Sequence, residues 1–390
     1  MSYLTDEHRM IRDETREFVK NEVLPEANER DPKNERMSDE LIEKLGEMGY
    51  FGLKTPEKYG GLAMDNLAYA VVTEELARGW MSVASIIARG QNLAGASERQ
   101  KEEYVPDMAE GKRIQATSIS EPGAGSDVAS MTTTAEKVGD EYEISGQKTW
   151  ATYAKGSDFI VVYAKTDPDA RPKHRGISSF IVDKTPGEFD VDGLTGNKLN
   201  TIGYHGWYSW ELNFDNVRVP EDKLVGEEEG QGFYHIMEFF EPARVHTAAR
   251  AIGLARGALE DSLSYAQDRE QFGQPIGEFQ AIRFKLATMA TKIEAARQLT
   301  HYVAKQVDQD KRTDMEACMA KYYASEVAEE VTSEGIQVHG GNGYTTDYPL
   351  ERYWRDARLT KIFEGTSEIQ QRVIADHLFD RGVHATGSGS

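Results

Sequence analysis

The chain has 390 residues, of which 39% are hydrophobic and 28% charged, and its formal net charge is −21. That length predicts two or three domains rather than one core. The acidic balance argues against a nucleic-acid surface, which needs clustered Lys and Arg, but leaves room for a phosphorylated small molecule held at a local positive site. A single cysteine, Cys318, excludes an intrachain disulfide and a cysteine-based metal cluster, so no metal is expected. It also fits a reducing, cytoplasmic compartment. No stretch approaches the ~18 uninterrupted apolar residues of a membrane span, and residues 1–7 have neither the basic leader nor the apolar core of a signal peptide.

Residues 1–112 read mostly as helix. Leu4, Ile11 and Phe18 recur at a spacing of seven, with Thr5 as a cap ahead of Asp6 and Glu7. Leu41, Leu45 and Met48 make a second apolar stripe, Gly60-Gly61 a turn, and residues 66–78 a third helix. Residues 113–226 change texture. Short runs rich in β-branched and aromatic residues predict strands at 114–119, 132–135, 142–144, 159–164 and 177–182. Trp210, Leu212 and Phe214 alternate with Ser209, Glu211 and Asn213, as a half-buried strand does. Strands at this spacing predict a β-barrel or sandwich.

Residues 227–384 are helical again. A periodic run opens at Pro275 and continues through Asp308. Thr313-Asp314-Met315-Glu316 predicts a capping box for a helix running to about Gln337, which His339-Gly340-Gly341-Asn342-Gly343 breaks. A last helix begins near Thr366, and residues 385–390 read as a flexible tail. The predicted architecture is mainly α with an inserted β domain: an N-terminal helical domain, a central β-barrel or sandwich, and a C-terminal four-helix bundle.

Within this frame a few segments carry chemistry. In Phe363-Glu364-Gly365-Thr366-Ser367-Glu368, a carboxylate precedes a glycine that lets the backbone approach a ligand. Thr366 or Ser367 can cap the helix that follows, whose N-terminus favours anions. Glu364 is therefore the candidate general base. Glu121-Pro122-Gly123-Ala124-Gly125-Ser126-Asp127 is a tight turn with exposed N–H groups, and it matches neither a P-loop nor a dinucleotide fingerprint. In Gln147-Lys148-Thr149-Trp150-Ala151-Thr152, a strand would point Trp150 and Thr152 to one side, the indole to stack on a planar ring and the hydroxyl to bond its edge; a core tryptophan is the plainer alternative. Arg269, in Arg269-Glu270-Gln271-Phe272-Gly273, offers a forked donor for a pyrophosphate, or a surface ion pair. Gln337 and Gly340-Gly341 offer a close backbone approach, or a helix C-cap.

Taken together, in this order and over essentially the whole chain, the Glu-Pro-Gly-Ala-Gly-Ser-Asp run, the Trp-x-Thr pair, the Arg-x-x-Phe-Gly segment, the Gln-x-x-Gly-Gly-Asn-Gly segment and the Phe-Glu-Gly-Thr run resemble the acyl-CoA dehydrogenase family. The resemblance implies FAD bound between the β domain and the C-terminal bundle. It implies flavin contacts from Ser120, Trp150 and Thr152, contacts to the adenosine half from Gln337, Gly340 and Gly341, and further FAD contacts from Thr366 and Glu368. Arg269, Gln271, Phe272 and Gln280 match residues that reach a neighbouring subunit's FAD, so a homotetramer, a dimer of dimers, is expected. Ser126, Arg244 and Gly365 match substrate contacts. A minority branch of the family carries its base before the arginine matching Arg244; that residue here is Ala243, which leaves Glu364 as the base. The implied reaction takes an acyl-CoA thioester to its trans-2-enoyl-CoA. Glu364 removes the α-proton, the β-hydride passes to flavin N5, and an electron-transfer flavoprotein accepts the electrons. The alternatives are an oxidase using oxygen, or a dehydrogenase of straight short- or medium-chain acyl-CoA. Burial beside a thioester is expected to raise the Glu364 pKa. Ile202-Gly203-Tyr204-His205-Gly206-Trp207 looks more like the branched or dicarboxylic acyl-CoA members, methylsuccinyl-CoA dehydrogenases among them, than like straight-chain ones. Arg78, Ser82 and Arg89 are the candidates for a terminal carboxylate, with cover for a helix face as the plainer alternative.

Overall fold

The computed structural model describes residues 3–381 except 92, 310 and 312, so the expected tail and residues 382–384 lie outside the described residues. In chain order the helices are α1 (Asp6–Phe18), α2 (Leu24–Arg30), α3 (Asp39–Glu47), α4 (Asn66–Gly79), α5 (Met81–Ile86), α6 (Glu98–Ala109), α7 (Gly232–Asp268), α8 (Gln280–Val307), α9 (Asp314–His339), α10 (Leu350–Thr360) and α11 (Ser367–Arg381). The strands are β1 (Gln115–Ser118), β2 (Thr134–Val138), β3 (Glu141–Thr152), β4 (Phe159–Lys165), β5 (Ile177–Asp183), β6 (Leu194–Lys198), β7 (Ser209–Pro220), β8 (Glu270–Gln271) and β9 (Gln274–Pro275). The chain is mainly α with an inserted β domain, and it divides into two compact units: Met1–Glu35, Asp65–Ser85 and Glu241–Ser390 in one, Arg36–Met64 and Ile86–Phe240 in the other.

The first unit is helical. Thr5 caps α1 as its sequence predicts: its hydroxyl accepts from the His8 N–H while the His8 ring closes the reciprocal bond. Long helices α8 and α9 pack on each other, and α10 and α11 pack on α9. Two local readings are corrected. The helix expected from Pro275 starts at Gln280, because Gln274–Pro275 pairs with Glu270–Gln271 as a short hairpin and a 3₁₀ turn, Ile276–Glu278, intervenes. Thr313 precedes α9 but makes no capping bond. Its φ of −127° and ψ of 21° are not the extended geometry a cap needs, and its buried hydroxyl has no partner among the described residues. Helix α10 has no counterpart in the sequence reading. Its buried Leu350, Tyr353 and Ala357 recur at helical spacing but are interleaved with Glu351, Arg352, Arg355, Asp356 and Arg358, which hide the stripe.

The second unit is built on a seven-stranded sheet in the order β1-β4-β2-β3-β7-β6, with β5 also on β4. One half, β1, β4 and β5, joins the other, β2, β3, β7 and β6, through a single register pair, Thr134 with Lys165. Ile160, Val162, Phe180 and Val182 from the first half and Tyr142, Ile144, Leu212, Phe214 and Val217 from the second share one buried cluster, so the curled sheet closes over its own core. Strand β3 runs unbroken over twelve residues, joining the strand read at 142–144 to the one read through Trp150 and Thr152, and its register with β7 shifts twice along the way. The second shift, between Lys148 and Ala151, is a β-bulge at Trp150.

Candidate active site

Glu364 follows α10 in the first unit. Its φ is +53°, and Gly365 after it has φ +88°. Two consecutive left-handed residues turn the chain sharply before α11, and glycine is the residue that takes the second position without strain. Thr366 Oγ1 accepts from the Ile369 N–H at 3.3 Å and so caps the new helix, one of the two caps anticipated. The Gly365 carbonyl accepts from Lys321 Nζ at 2.7 Å and Gln370 Nε2 at 3.0 Å. The turn is thereby tied to α9 and α11.

The Glu364 carboxylate meets two side chains that sequence reasoning did not single out. Arg250 Nη2 donates to Oε2 at 2.5 Å, and the Thr247 hydroxyl donates to the same oxygen. Thr247 and Arg250 stand one turn apart on α7, and Arg250 Nη2 also donates to Thr247 Oγ1 at 2.9 Å. Arg250 is 1% exposed; its Nη1 donates to Ser85 Oγ at 2.9 Å and its guanidinium lies 4.6 Å from the Phe363 ring centroid. His246 is buried on the neighbouring turn with Nε2 2.9 Å from the Ala84 carbonyl. The Glu364 pKa does not behave as expected. Burial pushes it up, but the Arg250 guanidinium, the His246 ring and the bonds from Thr247 and Arg250 outweigh it and leave the carboxyl below the ordinary glutamate range. Burial pulls fully buried Lys321 down to about 8. A sequence signal for Arg250 existed: it is the one charged residue in Ala248-Ala249-Arg250-Ala251-Ile252-Gly253-Leu254, where an arginine must be buried and paired.

Elsewhere in this unit, Arg244 on α7 is half-buried. Arg269, Gln271 and Phe272 sit on the exposed hairpin and Gln280 opens α8; Phe272 is 94% exposed. Gln337 is exposed near the end of α9, its carbonyl accepting from the Gly340 N–H. A side chain added at Gly340 or Gly341 would meet nothing within 4 Å, so that backbone is open to a ligand. Glu368 is exposed in the first turn of α11. Arg78 is not an open cation: it donates to Glu260 at 2.9 Å, Asp261 at 2.8 Å and the Tyr353 hydroxyl at 2.7 Å. Ser82 is buried, with no partner for its hydroxyl among the described residues.

In the second unit, the turn after β1 closes with reciprocal backbone bonds between Glu121 and Ala124, and Ser126 is exposed beyond it. The Ser120 carbonyl accepts from the Thr149 N–H at 2.9 Å, which draws this turn to the Trp150 strand. Glu121 is buried and accepts from Lys148 Nζ at 2.9 Å, the Thr132 N–H at 2.6 Å and the Thr133 N–H at 2.9 Å. Burial pushes its carboxyl up, and these donors reverse that and hold it at about 2. Trp150 is not a core tryptophan. At φ +61° on the bulge it is 60% exposed, and two residues on Thr152 shares a 3.0 Å hydroxyl bond with Ser209. A large exposed indole beside a hydroxyl suits the face and edge of a planar heterocycle such as a flavin ring. Arg89 reaches Thr117 Oγ1 at 3.3 Å and lies over the Trp207 ring. No group of three or more His, Cys, Asp or Glu among the described residues is placed to hold a metal, and no described helix is long and apolar enough to cross a membrane.

Three family models match the chain end to end: the acyl-CoA dehydrogenase N-terminal domain over residues 5–112, the middle domain over 116–217 and the C-terminal domain over 230–379. The chain belongs to the acyl-CoA dehydrogenase family, and is an oxidoreductase of a family whose members are flavoproteins. It is 41% identical over 388 residues to a (2S)-methylsuccinyl-CoA dehydrogenase of Cereibacter sphaeroides, covering 97% of this chain and 71% of that one. It is 37% identical to the caffeyl-CoA reductase-Etf complex subunit CarC of Acetobacterium woodii, covering 97% and 100%. Among solved structures, butyryl-CoA dehydrogenase from Megasphaera elsdenii superposes with a TM-score of 0.90 at 36% identity, covering 97% of this chain and 100% of that one.

Proposed function

We propose that this enzyme dehydrogenates the α,β bond of a short, branched or dicarboxylic acyl-CoA thioester and passes the electrons to an electron-transfer flavoprotein. The observation that carries the reading is Glu364, a carboxylate fixed on a left-handed turn and partly shielded from water. A base so held loses little freedom when it meets a substrate carbon. In the reaction its carboxylate takes the α-proton and becomes the carboxylic acid, while the α-carbon electron pair forms the new double bond. FAD, when bound, supplies the acceptor for the β-hydride. On the protein side, Ser120, Trp150 and Thr152 would hold the flavin ring, Gln337, Gly340 and Gly341 the adenosine half, and Thr366 and Glu368 the segment beside the base. Ser126, Arg244 and the Gly365 backbone would contact the substrate. The exposed hairpin with Arg269, Gln271 and Phe272, and Gln280 beyond it, would serve a neighbouring subunit's FAD in a homotetramer, a dimer of dimers, in the cytoplasm.

The methylsuccinyl-CoA relative supports a branched dicarboxylic substrate, and the Etf-complex relative supports the electron acceptor. Glu364→Gln tests the mechanism. The variant should keep its yellow flavin absorbance near ~450 nm yet lose at least about three orders of magnitude in anaerobic flavin bleaching by acyl-CoA, the scale of a lost general base. Bleaching within tenfold of the parent rate would refute the assignment. Oxygen consumption without an added acceptor would favour an oxidase instead.

A further inference from the structure

The pairing of Arg250 with Glu364 is unusual for a residue that must act as a base. A guanidinium at 2.5 Å stabilises the carboxylate and so weakens its appetite for a proton. Arg250 is itself 1% exposed, on a helix stretch otherwise made of Ala, Ile, Gly and Leu, where an isolated charge is costly to retain. Its second nitrogen is oriented by Ser85, and one turn earlier on α5 the buried Ser82 hydroxyl has no partner among the described residues. The forked guanidinium with the hydroxyls of Ser85 and Thr247 against it is a donor set suited to a carboxylate.

Resting on the reading of Glu364 as the α-proton base, we infer that Arg250, with Thr247 and Ser85, binds the second carboxylate of a short dicarboxylic acyl-CoA, and that this carboxylate displaces Glu364 from Arg250 and frees it to act. The geometry sets the length of the acid. The cation that meets the substrate's carboxylate lies one hydrogen bond from the base that meets its α-carbon. A carboxylate on the β- or γ-carbon spans that interval, while a long chain would carry its terminus past it. Once the guanidinium is taken by the substrate's carboxylate, burial dominates at Glu364 and a like charge adds to it, so the base strengthens only when the right substrate is seated. Selectivity then falls on kcat as well as KM, because a neutral acyl chain leaves the base clamped.

The test compares diacid thioesters, succinyl-CoA and methylsuccinyl-CoA, with neutral ones of the same size, butyryl-CoA and 2-methylbutyryl-CoA, on flavin-loaded enzyme. The diacids should be favoured at least a hundredfold in kcat/KM, and Arg250→Met should abolish or reverse that ratio, with Arg250→Lys between. Binding gives a readout free of turnover: Glu364→Gln should hold a diacid thioester at least tenfold more tightly than its neutral counterpart, a preference lost in Glu364→Gln/Arg250→Met. A parent enzyme that prefers butyryl-CoA, or an Arg250→Met variant that slows both classes alike, overturns the inference and leaves the dehydrogenase reading standing. Absence of bleaching by every thioester overturns both.

Discussion

Glu364 was legible in the sequence because everything that places it is local: the glycine that follows, the hydroxyl that caps the next helix, and the acid between them. Its partners were not. Arg250 and Thr247 lie 114 and 117 residues away on another helix, and no spacing rule links them. Their effect reverses the shift expected of Glu364, whose pKa burial alone would raise. The left-handed turn itself is testable at one atom. At Gly365, with φ +88°, a β-carbon would stand 2.6 Å from Gln370 Nε2. Gly365→Ala adds about 1–2 kcal/mol of backbone strain and pushes the carboxylate off its mark. A misplacement of about 1 Å costs on the order of 10²-fold in rate, so acyl-CoA turnover should fall by that order while circular dichroism stays at the parent's. Unchanged turnover would show that the turn does not aim the base.

At the scale of elements, hydrophobic period found the long helices and the strands flanked by plain turns. It failed where a second constraint intervened. Helix α10 buries Arg352 and Asp356 within its core face, so its stripe reads as polar. Strand β3 was read as two separate pieces because its two register shifts break the alternation that marks a continuous strand. Trp150 sits on one of those shifts and is 60% exposed. Capping motifs also proved unequal. Ser38 accepts from the Leu41 N–H at 3.0 Å, whereas Thr313 has the right neighbours in sequence and the wrong backbone angles. Ser38→Ala should therefore cost about 1 kcal/mol, seen as a lower denaturation midpoint, and Thr313→Ala should shift it by less than about 0.5 kcal/mol. Equal losses would contradict the capping geometry.

For the whole molecule, the helix–β–helix order was readable from composition shifts alone, and the family models match three consecutive blocks in that order. The division into units was not, because residues 65–85 and 36–64 trade places between them, a matter of packing that local pattern does not encode. Nor was Glu121 visible as more than part of a turn. It follows β1, while Lys148 lies on β3 and Thr132 and Thr133 lead into β2, so one buried carboxylate bridges the two halves of the sheet where only Thr134 and Lys165 pair. Removing one partner of such a buried pair costs about 3–5 kcal/mol, so Glu121→Gln should lower the melting temperature by several degrees; a shift under one degree would discount the bridge. Its folded pKa of about 2 lies below the ordinary value of 4.5, so its contribution is present above pH ~4.5 and drains away as acid is added toward pH 2. Acid should then act on this protein first as a picked stitch. The seam parts next to the indole at position 150, and Trp150 fluorescence would change before the helices elsewhere in the chain melt.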